Sequence, residues 1–156
     1  MKTRIPLALA LILVLVVAGS APVAAAGATV PFRAALQTYP EETGFDPATG
    51  ILTMDVPGEG RATHLGRSVF ESTAYINTYS PLPYPQLTYG TLIAANGDRL
   101  NVDMAGTVVP FAGEGSWEVS AGGTGRFAGV TGAGIYWYGF DGEEWHLYFE
   151  GTLTKP

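Results

Sequence analysis

The sequence predicts an all-β fold, an eight-stranded antiparallel β-barrel, on three observations. No 20-residue stretch follows a helical period. Glycine and proline recur throughout, 21 and 11 times in 156 residues, and break the chain into short extended segments. Several of these segments alternate apolar and polar residues, the pattern of a strand with one face on a core. Many short strands between turn residues point to a sandwich or a barrel. Closure into a barrel leaves no exposed edge, which suits an exported chain without cysteines.

The chain opens with "MKTRIPLALALILVLVVAGSAPVAAAG". Lys2 and Arg4 precede an apolar run from Leu7 to Ala18, and the small residues Ala24-Ala25-Ala26 follow. A charged start, a short apolar core and an A-x-A end predict a secretory signal peptide over 1–26, cleaved after Ala26. The apolar run is short against the roughly 20 residues of a spanning helix. The expected product is a secreted single domain over 27–156, with no membrane association after cleavage.

Without Lys2 and Arg4, six basic residues face 14 acidic ones, a net charge of −8. That balance argues against nucleic-acid binding, which needs Lys and Arg on phosphates, and against docking on anionic lipid. The absence of cysteine removes thiol nucleophiles and thiolate metal sites. Stability must then come from burial, for which about 130 residues suffice.

Eight strands are predicted, at Thr29–Leu36, Ile51–Val56, Gly66–Asn77, Gln86–Ala94, Arg99–Val108, Ser116–Ala121, Ala133–Phe140 and Trp145–Leu153. Between the first two, the acidic and turn-rich "QTYPEETGFDPATG" reads as an irregular loop. "TYSPLPYPQL", with three prolines among tyrosines, reads as a stiff rim loop rather than a PxxP ligand. Asn96-Gly97 suits a tight primed turn between antiparallel strands. After it, Leu100, Val102 and Met104 face one way, and Asn101 and Asp103 the other. In the last strand Trp145, Leu147, Phe149 and Leu153 share one face, opposite His146, Tyr148, Glu150 and Thr152. "GIYWYGF" carries aromatics on both faces, with Ile135 and Trp137 expected inward and Tyr136, Tyr138 and Phe140 on a covered outer row. Asp141-Gly142 marks the turn between these two strands.

"GGTGRFAGVTGAG" contains the spacing G-x-G-x-x-A at Gly123, Gly125 and Ala128, which occurs in dinucleotide-binding loops. Such a loop opens a helix whose N-terminus meets the phosphates. Here a strand pair follows, so the glycines are read as backbone hinges, and no cofactor is expected.

The same block resembles the signature of the allene oxide cyclase-like and dirigent-like barrels, through Gly122, Gly123, Thr124, Gly125, Phe127 and Gly132. The upstream order "ATHLGRSVFE", "AANGDRLNVDMAG", "SWEVSAGGTGRF" and the closing "HLYFEGTL" are similar to that superfamily too. The resemblance spans about Arg61 to Thr154. It implies an eight-stranded antiparallel barrel with an apolar cavity, often trimeric, in which the glycine block joins two strands and Phe127 plugs the core. No catalytic residue of the family is carried over, because "ATVPFRAALQ" lacks the acidic first-strand motif of the cyclases.

The remaining chemistry-bearing residues give no constellation. His64 and His146 are the only histidines and show no metal-ligand spacing. Ser68, Ser72 and Ser80 lack a nucleophile elbow. Glu71, Asp103 and Glu150 share rows with polar residues and are expected on the outer wall, although two such carboxylates inside a barrel would make an acid–base pair. The positive feature is the inward apolar set Phe70, Val102, Met104, Trp117, Phe127, Trp137 and Phe149, the expected lining of a filled core or of a cavity for one small ligand. Three functions fit: binding of a small apolar molecule, a cyclase or isomerase that confines a reactive substrate, and a homo-oligomeric surface protein assembled through the Tyr136–Tyr138–Phe140 row.

Overall fold

The computed structural model describes residues 27–156. The signal-peptide reading of 1–26 lies outside them. Ten strands form one antiparallel sheet: β1 (Thr29–Thr38), β2 (Glu41–Asp46), β3 (Ile51–Asp55), β4 (Gly58–Ala62), β5 (Gly66–Asn77), β6 (Tyr84–Ala94), β7 (Arg99–Val109), β8 (Ala112–Val119), β9 (Thr131–Phe140) and β10 (Trp145–Thr154). The order β5-β4-β1-β10-β9-β8-β7-β6 returns to β5, so eight strands close a barrel. The first strand is part of the wall, paired with β10 on one side and β4 on the other.

Two strands are absent from the sequence reading. The acidic segment read as a loop contains β2, which continues the line of β1 beyond Tyr39-Pro40 and pairs with β3. β3 and β4 share one wall position, separated at Val56-Pro57. β4 pairs with Gly66–Phe70 of β5, and β3 with its far half up to Asn77. Proline has no N–H for a ladder bond, and the two prolines interrupt both strands of the hairpin at one level, where Tyr39 N donates to Pro57 O at 2.8 Å. β2 is the free edge of this extension. Its Glu41, Glu42 and Asp46 are exposed, and edge charges of this kind discourage pairing with another chain.

The "GGTGRFAGVTG" block runs from β8 to β9 as a connection with one 3₁₀ turn, Gly125–Phe127. Gly122, Gly125 and Gly129 have φ of +95°, +55° and +71°. No helix follows, so the dinucleotide geometry is not built. Phe127 is 1% exposed and closes this end of the barrel together with Leu65 and Val130.

One predicted phase is reversed. Directly opposed residues in an antiparallel pair share a face. Leu147 and Phe149 of β10 are buried, and their partners in β9 are Tyr138 and Tyr136. Tyr136 is therefore inward and 1% exposed, whereas Trp137, opposite Tyr148 and Glu114, lies on the outer wall at 39% exposure beside Ile135. Trp137 is not a lining residue. Tyr136 and Tyr138 cannot serve as an outer assembly row, because their rings belong to the interior.

Candidate functional site

The barrel is solid at the glycine-block end and hollow at the other. The solid half is an aromatic cluster. Trp117 packs edge-on against Phe32 and Phe149, with ring centroids 5.3 and 6.0 Å apart, and Phe149 meets Phe70 at 5.8 Å. Such edge contacts are favourable beyond their buried area. Phe127, Val102, Leu92 and Leu100 complete this half, each at most 1% exposed.

Above it lies a cavity of about 110 Å³. Its floor is Phe70 and Met104. Its walls are Met54, Val56, Ala74, Ile76, Val108 and Leu147, and Pro40 and Trp145 stand at the open end. Of the residues expected as lining from the sequence, Phe70 and Met104 are in the cavity wall. Val102, Trp117, Phe127 and Phe149 are buried in the solid half, and Trp137 is outside. The lining is fixed by register: Met54 faces Ala74 across the β3–β5 pair, and Ile76 follows two residues on.

One wall of the cavity is polar. Tyr138 Oη donates to Gln86 Oε1 at 2.5 Å, and Gln86 Nε2 donates to Thr88 Oγ1 at 2.9 Å. Gln86 and Thr88 are 7% and 3% exposed. They are inward because β6 turns its even residues to the core, down to Leu92 and Ala94. Neither is among the residues expected as lining, since the apolar residues of that stretch, Leu87 and Tyr89, are on the outer face and about half exposed.

Beside this wall lies a second buried tyrosine. Tyr136 and Tyr138 stack with planes 4° apart and centroids at 6.3 Å. Tyr136 sits across from Gly115, whose other neighbour is Gly106. A Cβ at Gly106 would come within 2.6 Å of Tyr136 Oη, so glycine there makes room for the phenol. Burial raises the Tyr136 pKa to about 12 and pushes that of Tyr138 up as well, so both are O–H donors at neutral pH. Tyr136 Oη is the one buried side-chain polar atom among the described residues without a partner. Tyr136→Phe is therefore expected to leave stability unchanged or raise it by up to about 1 kcal/mol, whereas Tyr138→Phe strands Gln86 and costs about 1–3 kcal/mol. Urea unfolding midpoints of the two variants separate these outcomes.

The interior carries no carboxylate, histidine, lysine or arginine among its buried described residues. Glu71, Asp103 and Glu150 all lie on the outer wall, and Glu150 pairs there with Arg33 at 2.9 Å. His64 Nε2 donates a 3.0 Å bond to Pro31 O, and His146 lies 2.9 Å from Asp141 in the β9–β10 turn. No group of three or more metal-ligating side chains occurs among the described residues. What this interior supplies is shape, apolar surface and a few neutral hydrogen-bonding groups.

Comparison with protein-family models, with curated proteins and with solved structures gave no match.

Proposed function

We propose that the chain is an exported β-barrel that binds a small apolar molecule in the open half of its interior. The observation that carries this reading is the cavity between Met54, Phe70, Met104 and Leu147, apolar on most sides and open at one end. Small barrels hold one ligand where side chains do not fill the centre. At about 110 Å³ the space approaches that of an engineered apolar cavity of about 150 Å³ that takes up benzene. The resemblance of the glycine block to the allene oxide cyclase-like and dirigent-like barrels supports the same reading. An interior without buried carboxylate or histidine among the described residues favours binding over acid–base turnover.

The chain contains three methionines, Met1, Met54 and Met104, and the last two line the cavity. With ¹³C-methyl-labelled methionine, benzene is expected to shift the Met54 and Met104 signals together and saturably. Ala74→Leu puts three extra carbons into the cavity and is expected to weaken benzene binding at least ~10-fold, as burial of a few methylenes is worth more than that factor. Methyl signals that stay in place up to the solubility limit of benzene would remove the proposal.

A further inference from the structure

The donor count of the polar wall specifies the ligand further. Gln86, Thr88 and Tyr138 together carry four polar protons, two on the amide and one on each hydroxyl. The two bonds that join these side chains use two of them. Two protons remain on a wall that faces the cavity. The count does not depend on which way the amide is turned. If its oxygen faces Tyr138, the spare protons are the second N–H and the Thr88 O–H. If its nitrogen does, they are the second N–H and the Tyr138 O–H. None of the three side chains is bonded to a backbone carbonyl. The unpartnered Tyr136 hydroxyl lies beside the same wall, over Gly106, the β7 partner of Gln86.

A buried donor without an acceptor is costly, and a ligand that displaces water from this wall must replace the bonds it removes. A hydrocarbon cannot. A carboxylate could accept both protons, but it would enter an interior with no buried cation among the described residues, and an unpaired buried charge is strongly penalised. A cation would find no buried carboxylate among the described residues and would incur the same penalty. Resting on the cavity reading above, we infer that the ligand is a small, uncharged, mainly apolar molecule whose buried end carries a hydrogen-bond acceptor, a carbonyl or ether oxygen, set against Gln86 and the hydroxyls of Thr88 and Tyr138 that flank it.

Cyclohexanone and methylenecyclohexane have nearly the same shape and differ in C=O against C=CH₂, which makes them matched probes. Dissociation constants for both, read from the Met54 and Met104 methyl signals, give a ketone-to-alkene preference. Comparing that preference between wild type and variants cancels the unequal hydration of the two probes. Thr88→Val with Gln86→Leu is expected to reduce the preference at least ~10-fold, and the near-isosteric Thr88→Val alone to reduce it in the same direction. Cyclohexanecarboxylate is expected to bind wild type at least ~10-fold more weakly than the ketone. A preference unchanged within about twofold in both variants, or a carboxylate that binds as tightly as the ketone, overturns the inference and leaves the cavity reading standing. Absence of saturable binding by both neutral probes overturns the cavity reading and the inference with it.

Discussion

Trp117→Ala is expected to lower the unfolding free energy by about 3–5 kcal/mol, the range for removing a fully buried large aromatic side chain. Trp117 is 2% exposed and belongs to the aromatic cluster of the solid half. Its indole touches Phe32 and Phe149, and its Nε1 donates to Ile135 O at 3.0 Å and Glu150 O at 3.3 Å. Truncation removes the transfer free energy of the ring, leaves a cavity between aromatic neighbours, and takes a donor from two backbone carbonyls. Closed barrels relax poorly around such a void, because the hydrogen-bonded wall fixes the diameter. Val69→Ala, on the outer face at 47% exposure, is expected to stay within ~0.5 kcal/mol of wild type. Urea titration of both variants measures the difference, with an unchanged m-value confirming that the unfolding reaction is the same one.

Gly134→Val is expected to cost on the order of 3 kcal/mol by the opposite mechanism, overpacking. Gly134 lies opposite Trp117 on β8 and Gly151 on β10. A side chain there would run into the Glu150 carbonyl and approach Gly151 Cα to 2.7 Å. The obstruction is backbone, which cannot step aside without opening the wall. Across the pair, a Cβ at Gly151 would lie 2.8 Å from Trp117 Cζ2, so the glycine pair is the seat of the indole. The expected drop in the thermal midpoint is on the order of 10 °C for a domain of this size, read by differential scanning calorimetry. A Gly134→Val protein with the wild-type midpoint would mean that Trp117 is not seated on the glycine pair.

The parts of the fold that were legible are those where alternation and glycine agree. The predicted β5 has the observed ends, Gly66–Asn77, and the predicted β7 and β10 end within one residue of theirs, because alternation is regular in each. β4, "GEGRA", has no apolar row, since glycines take its inward positions beside β1. β2 looked like a loop because its exposed edge is acidic. The first half of β8 was lost for a related reason: Gly113 and Gly115 are inward but bring no side chain, leaving space for Tyr138 and Tyr136.

The candidate site was only half legible, and the failures share a cause. Alternation assigns a strand two faces without saying which one is inside. In β9 both faces are aromatic, so Trp137 was read inward, and the face is settled only by the register with Leu147 and Phe149. In the first half of β6 the apolar residues Leu87 and Tyr89 are outside, and Gln86 and Thr88 line the interior. Carrying the phase of β10 across the Asp141-Gly142 turn would have corrected β9. Met54 was within reach too, on the row Leu52–Met54–Val56 of a predicted strand. In β6 the same step across the Asn96-Gly97 turn, from Leu100 and Met104 to Leu92 and Thr88, marks the polar row as the inner one.

The cavity itself is the central claim, and xenon tests it most directly. Apolar cavities of this kind take up xenon, and its anomalous scattering locates it without reference to any assumed ligand. Crystals pressurised with xenon are predicted to show a single interior site bounded by Met54, Phe70, Met104 and Leu147, which disappears in Ala74→Leu. An interior free of xenon in the wild-type protein, or a site that persists unchanged in Ala74→Leu, would contradict it.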